Sequence, residues 1–244
     1  MKTAVGVIWA VLACLFSAAP AAGETTLETD TFRYVIAEDG TNVSLFDKSG
    51  EREYLRNEEP SFCAAAKVGG KEYRVSSVRF DGGVLRLAFD GASVRAEISV
   101  AARPGALVFE VAKIDGAPDE LVFANVPLGL EAKPYEPFAA CALALTPFTH
   151  VHQLPALHDA YWAAATARFG LVGAKAALIG VPQADILSTI RGVVTDEAVG
   201  IPFSDKGGAW ALSSPDGRGS YMMDFGTLTE ETVDEWIASC RRLG

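Results

Sequence analysis

The chain has 244 residues, half of them apolar and 21% charged, which suits one large packed domain, or one and a half, and excludes wholesale disorder. Lys and Arg number 21 against 31 Asp and Glu, a net charge of -10, which argues against nucleic acid or an anionic membrane as partner because both need a basic face. Four Cys and three His are too few for a disulfide-dense scaffold or a multi-zinc module.

Residues 1–23 read as a signal peptide. Lys2 supplies the positive start, an apolar run extends from Ala4 through Phe16, and small residues follow up to Gly23, before the first acid at Glu24. Cleavage fits after Ala21 or after Gly23. The run is shorter than the ~20 residues a membrane span needs, and no later segment is long enough. The sequence therefore predicts a secreted or periplasmic protein, with no membrane association after signal removal. Cys63, Cys141 and Cys240 remain in the mature chain, so at most one internal bridge can form, and Cys63 and Cys141 sit in apolar runs that suit buried thiols.

From Phe32 onward the pattern is strand and turn. Phe32, Tyr34 and Ile36 run to a turn at Asp39-Gly40, and Val43 and Leu45 run to one at Asp47-Lys48-Ser49-Gly50. Phe62 to Val68 is a strand of small residues, and Gly69-Gly70 has the form of a two-residue hairpin loop. Val78 to Phe80, Val84 to Phe89, Val94 to Val100, Leu107 to Val111 and Leu121 to Leu128 continue the series, with Gly-containing turns between most of them. Turns every ~8–12 residues predict an antiparallel sandwich whose strands carry a polar face and a core face. Phe138 to Leu145 reads as a strand buried on both faces, Thr149 to His158 as a loop, and Lys175 to Val181 as a buried strand. Pro182 opens a short helix with Ile186, Leu187 and Ile190 on its apolar side. Strands are also predicted at Ala209 to Leu212 and Ser220 to Phe225. Thr227 and Glu230 have capping-box spacing before a helix with a stripe of Val233, Trp236, Ile237 and Cys240.

Phe32-Arg33-Tyr34-Val35-Ile36, Asp39-Gly40 and Leu45-Phe46-Asp47 resemble the first hairpin of a galactose-mutarotase-like sandwich of the sugar-hydrolase kind. The stretch from Phe169 to Lys175, with Gly219-Ser220-Tyr221-Met222-Met223-Asp224-Phe225-Gly226, resembles the passage from such a sandwich into a TIM barrel. Together they resemble secreted bacterial glycoside-hydrolase-like proteins of the α-galactosidase and α-glucosidase clan. The resemblance implies a mainly β fold: a β-sandwich domain over residues 24–218, then a C-terminal β-α unit over 219–244 that resembles the start of a TIM barrel. It implies carbohydrate, poly- or oligosaccharide, as partner and no cofactor. Such proteins carry their catalytic carboxylates on later barrel strands, so none is expected here, and the chain reads as an N-terminal part.

Asp224 ends the expected barrel strand, where the resemblance implies a hydrogen bond to a sugar hydroxyl; capping the strand–helix turn is the alternative. Trp162, Trp210 and Tyr161 have apolar faces that could stack on sugar rings or pack in the core. His150, His152 and His158 allow two ligands on one face of an extended strand, but no four-ligand metal set is present, and solvated loop histidines are the simpler account. Asn42-Val43-Ser44 is a glycosylation sequon. The expected function is an accessory carbohydrate-binding sandwich of a carbohydrate-active protein. The alternatives are a complete, non-catalytic carbohydrate-binding or interaction protein, and a small metal-binding protein built on the histidines.

Overall fold

The computed structural model describes residues 23–56, 58–130, 136–152, 154, 160–199 and 228–243. The chain divides into two compact units, Met1–Val199 and Gly200–Gly244. The expected signal peptide lies outside the described residues but for Gly23, and so do the strands expected near 209–212 and 220–225.

The first unit is mainly β, and its sheets are antiparallel. Its strands are β1 (Thr25–Glu28), β2 (Phe32–Ile36), β3 (Asn42–Asp47), β4 (Arg52–Glu53), β5 (Ala65–Val68), β6 (Lys71–Arg74), β7 (Ser77–Asp81), β8 (Val84–Phe89), β9 (Val94–Arg103), β10 (Ala106–Asp115), β11 (Glu120–Pro127), β12 (Phe138–Ala144), β13 (Thr149–Val151), β14 (Ala160–Thr166) and β15 (Lys175–Pro182). Among the described residues they form sheets of order β1-β2-β3-β4, β12-β15-β10-β9-β8-β7 and β13-β14-β11-β5-β6. The hairpin at Gly69-Gly70 forms as the sequence predicts: both residues have positive φ, 58° and 79°, which a two-residue turn demands and side chains resist.

The inner faces of these sheets share one buried cluster. Leu85, Leu87, Ile98, Phe109 and Leu178 of the six-stranded sheet meet Leu121, Phe123, Tyr161 and Ala163 of the five-stranded sheet, with Phe32, Tyr34 and Leu45 of the four-stranded one. Each large side chain buried this way contributes about 1.5–3 kcal/mol relative to exposure. Gly180 on β15 marks the tightest point. A Cβ there would stand 2.6 Å from Phe138, 3.0 Å from Phe32 and 3.0 Å from the Tyr161 hydroxyl, one ring from each sheet.

A second cluster lies on the outer side of the six-stranded sheet. A 3₁₀ turn (Gln183–Asp185) leads into α1 (Ile186–Asp196), whose Ile186, Ile190 and Val193 pack on Ala106, Val108, Ala177, Ile179 and Val181. Leu187, expected in this stripe, is instead 49% exposed. The contact face runs at i, i+4 and i+7 from Ile186, one position away from Leu187. Beyond the helix end, Glu197 is buried between Arg103 Nη2 at 2.9 Å and Lys175 Nζ at 2.7 Å, and Lys175 also reaches Glu110 at 3.1 Å. Burial would raise the Glu197 pKa, but the two cations outweigh it and hold the carboxyl below its usual value.

The structure corrects several expectations. Thr149–Val151 is a strand, not a loop; β13 pairs with β14, and the Thr149 hydroxyl accepts from the Lys175 N–H at 2.9 Å. The segment expected to be buried on both faces is β12, an edge strand that is mostly half-buried. Its alanines are too small to require cover. Cys63, Cys141 and Cys240 are free thiols. Burial pushes the Cys63 thiol up to about 12 and raises that of Cys141.

In the second unit, α2 spans Val233–Leu243. The turn before it is made by Thr229 and Thr232, with the Thr229 N–H donating to Thr232 Oγ1 at 3.0 Å; the capping box expected of Thr227 with Glu230 involves Thr227, which lies outside the described residues. Val233, Ile237 and Cys240 are exposed and Trp236 is half-buried. No helix among the described residues is long and apolar enough to cross a membrane.

Candidate functional site

Along β14, alternation sends Tyr161, Ala163 and Ala165 into the core and Trp162, Ala164 and Thr166 to the other face. β13 lies on the edge beside it, with His150 opposite Ala164. The His152 N–H continues the ladder by donating to the Trp162 carbonyl at 3.3 Å. That register lays the His152 ring on the Trp162 ring, with centroids 4.3 Å apart and planes 13° apart. Trp162 is half-buried, and both histidines are exposed.

The turn after β14 extends this strip. Phe169 is 54% exposed, its ring lies 6.4 Å from that of His150, and the Arg168 guanidinium sits 5.3 Å over it. His152 and Trp162 therefore make one stacked pair, and His150, Phe169 and Arg168 a second, looser aromatic group with tilted rings, along one sheet edge. Aromatic faces take the apolar C–H face of a sugar ring, while imidazole and guanidinium N–H groups donate to hydroxyls.

Of the residues singled out in the sequence, Trp162 is placed in this strip. Tyr161 is not: it is fully buried, and its hydroxyl donates to the Ile179 carbonyl at 2.6 Å, so it belongs to the core. Burial raises its pKa well above the usual phenol value, with a smaller contribution from Cys141. Asp224, Trp210 and His158 lie outside the described residues. His150 and His152 engage different aromatic partners, and among the described residues no group of three His, Cys, Asp or Glu could hold a metal ion. Asn42 is not available as a glycan acceptor in the folded chain. It is 6% exposed, accepts from the Tyr34 hydroxyl at 2.5 Å, and donates to Ser61 Oγ and the Asn125 carbonyl.

Sequence reasoning did not single out Phe169 or Arg168 as site residues. The only trace they leave is an exposed-type cation next to an aromatic ahead of Gly170, which periodicity does not mark. Compared with known protein families and with curated proteins, the chain matches no family model and no curated sequence.

Proposed function

We propose that this is an exported protein whose first unit is a non-catalytic carbohydrate-binding sandwich, an accessory module of the galactose-mutarotase-like kind found beside glycoside-hydrolase barrels. On this reading residues 219–244 form the barrel-type β-α unit, with Asp224 at its strand end and Trp210 just before it as further sugar contacts. The observation that carries the reading is the Trp162–His152 stack at an exposed sheet edge, extended by Phe169. Layered antiparallel sheets around one core support the sandwich. Glycoside cleavage needs two positioned carboxylates, and the described strip contains none, which is why binding rather than hydrolysis is assigned to this unit.

The test is titration of the purified chain with soluble neutral glucans, galactans and xylans, followed by Trp fluorescence and calorimetry. Binding of at least one polymer is expected. Trp162→Ala should weaken it about tenfold, equivalent to about 1.4 kcal/mol, with little change in melting temperature. Absence of binding across the panel, or affinity untouched in Trp162→Ala, would remove the reading.

A further inference from the structure

A second face of the same unit carries charge that the aromatic strip does not use. Alternation points Arg79 on β7, Arg86 on β8, and Arg95 and Glu97 on β9 away from the core, while Val78, Leu85, Leu87, Ala96 and Ile98 go inward. In register, Arg79 faces Arg86, Arg86 faces Glu97, and Arg95 faces Asp115. Like charges directly opposite on neighbouring strands repel, so the Arg79–Arg86 pair costs stability in the free protein. The acids nearby offset it only in part. Arg86 is held loosely, 3.8 Å from Asp81 and 3.9 Å from Glu97, and Asp115 is engaged by Lys113 at 3.1 Å. Neither Arg79 nor Arg95 has an ion-pair, hydrogen-bond or ring partner among the described residues. Ser77 and Ala88 are small, and a depression of about 400 Å³ lies there, lined by Arg79, Arg86 and Arg95 together with the acids Glu97 and Asp115.

We propose that this depression is an oxyanion site for an acidic polysaccharide, taking its carboxylate or sulfate groups. Three observations converge on that class. The cations are all arginine, whose planar fork matches carboxylate and sulfate bidentately. They stand on adjacent strands about 4.8 Å apart, a patch that accommodates two or three anionic groups on a short stretch of ligand. The chain around them carries a net charge of -10, which disfavours the long, continuously charged track of a nucleic acid. The choice of a carbohydrate as the bearer of the anions rests on the reading of the aromatic strip; the choice of an oxyanion rests on the arginines alone.

The experiment is calorimetric titration of the full chain with polygalacturonate, with dextran sulfate and with neutral dextran, at low and at physiological salt. One or both acidic polymers should bind, more weakly as salt rises. The Arg79→Gln/Arg95→Gln double variant should weaken that binding at least tenfold, while Trp162→Ala leaves it within twofold. The two acidic arms tell carboxylate from sulfate. Both arginines are exposed, so the double variant should fold and melt no lower than the wild type. Should it fail to fold, Arg95→Gln alone is read in the same titration, with a several-fold loss expected. No binding to either acidic polymer overturns the proposal, as does affinity unchanged in the arginine variants or lost equally in Trp162→Ala. Failure of the neutral panel with acidic binding intact would instead remove the aromatic strip and leave this site standing.

Discussion

The outer side of the six-stranded sheet is two surfaces in one. Over β10, β15 and β12, Ala106, Val108, Ala177, Ile179 and Val181 point outward into the cluster beneath α1. Over β7, β8 and β9, the outward rows hold Arg79, Arg86, Arg95 and Glu97, and no helix covers them among the described residues. The inner side is the same apolar core throughout. What separates the halves is the strand pattern. Ala176 to Val181 is apolar at every position apart from Gly180 and is buried on both faces, whereas Val84 to Phe89 alternates and is buried on one. The covered half contributes stability; the bare half is free to keep charges that stability does not favour. The ion network of Glu197, Arg103, Lys175 and Glu110 lies at the seam between them.

The sharpest way to break this contrast is to place a charge under the helix. Val193 is 3% exposed, and Val193→Asp would bury an unpaired carboxylate in the second cluster. A loss of about 3 kcal/mol or more is expected in denaturant unfolding. A loss below about 1 kcal/mol would mean that α1 is not part of the cooperative unit.

The seam should respond less. Glu197→Gln leaves Arg103 and Lys175 without their shared carboxylate, but those side chains are 37% and 25% exposed, so water recovers part of the loss. The expected cost is about 1–2 kcal/mol at neutral pH. Because the native Glu197 pKa lies below its ordinary 4.5, its stabilisation is present above that value and is lost as pH falls through the lower native one. The Lys175 pKa is raised in the folded state, so its share is present below 10.5 and is lost as pH rises through the native value. The variant's acid unfolding limb should therefore be flatter than that of the wild type. Identical limbs would show that the network does not couple folding to protonation.

The smallest effect belongs to the bare half, and its sign is the informative part. Arg79→Gln removes one of two like charges facing each other and should raise stability by about 0.2–1 kcal/mol at low salt. The gain should fade at high salt. A destabilisation would mean that Arg79 has a structural role and that the two halves are less different than their surfaces indicate.

How far the sequence reveals this depends on where the information sits. β7 to β9 are legible because each strand alternates, β10 because its apolar run is bounded on both sides, and a Gly-containing turn closes each hairpin. β1, only four residues long, went unread, and so did β14, because Ala160 to Thr166 is apolar on both faces and its alanines carry no β preference. β13 was hidden in a polar, proline-containing stretch and exists because β14 offers it an edge. Trp162 was legible as a candidate. Its partner His152, weighed only as a metal ligand or a solvated loop residue, was not, because the stack needs a register that no local pattern encodes. Arg79, Arg86 and Arg95 were each readable as the polar side of a strand, but their convergence becomes visible only once three strands are laid side by side.

Gly180 sets a clock as well as a close approach. Its carbonyl accepts from the Thr31 hydroxyl, 149 positions earlier in the chain, and its missing side chain makes room for Phe32, Phe138 and Tyr161 together. At ~5–20 residues per second of synthesis, Thr31 waits on the order of ten seconds before its acceptor exists. During that interval the early hairpins can form, but the inner face of β2 has no β15 to close upon. Pairings this distant in sequence fold slowly. If the chain is exported, as proposed, the delay would be useful, since a core that cannot close until β15 has been made would leave the nascent polypeptide loose while it is threaded across a membrane.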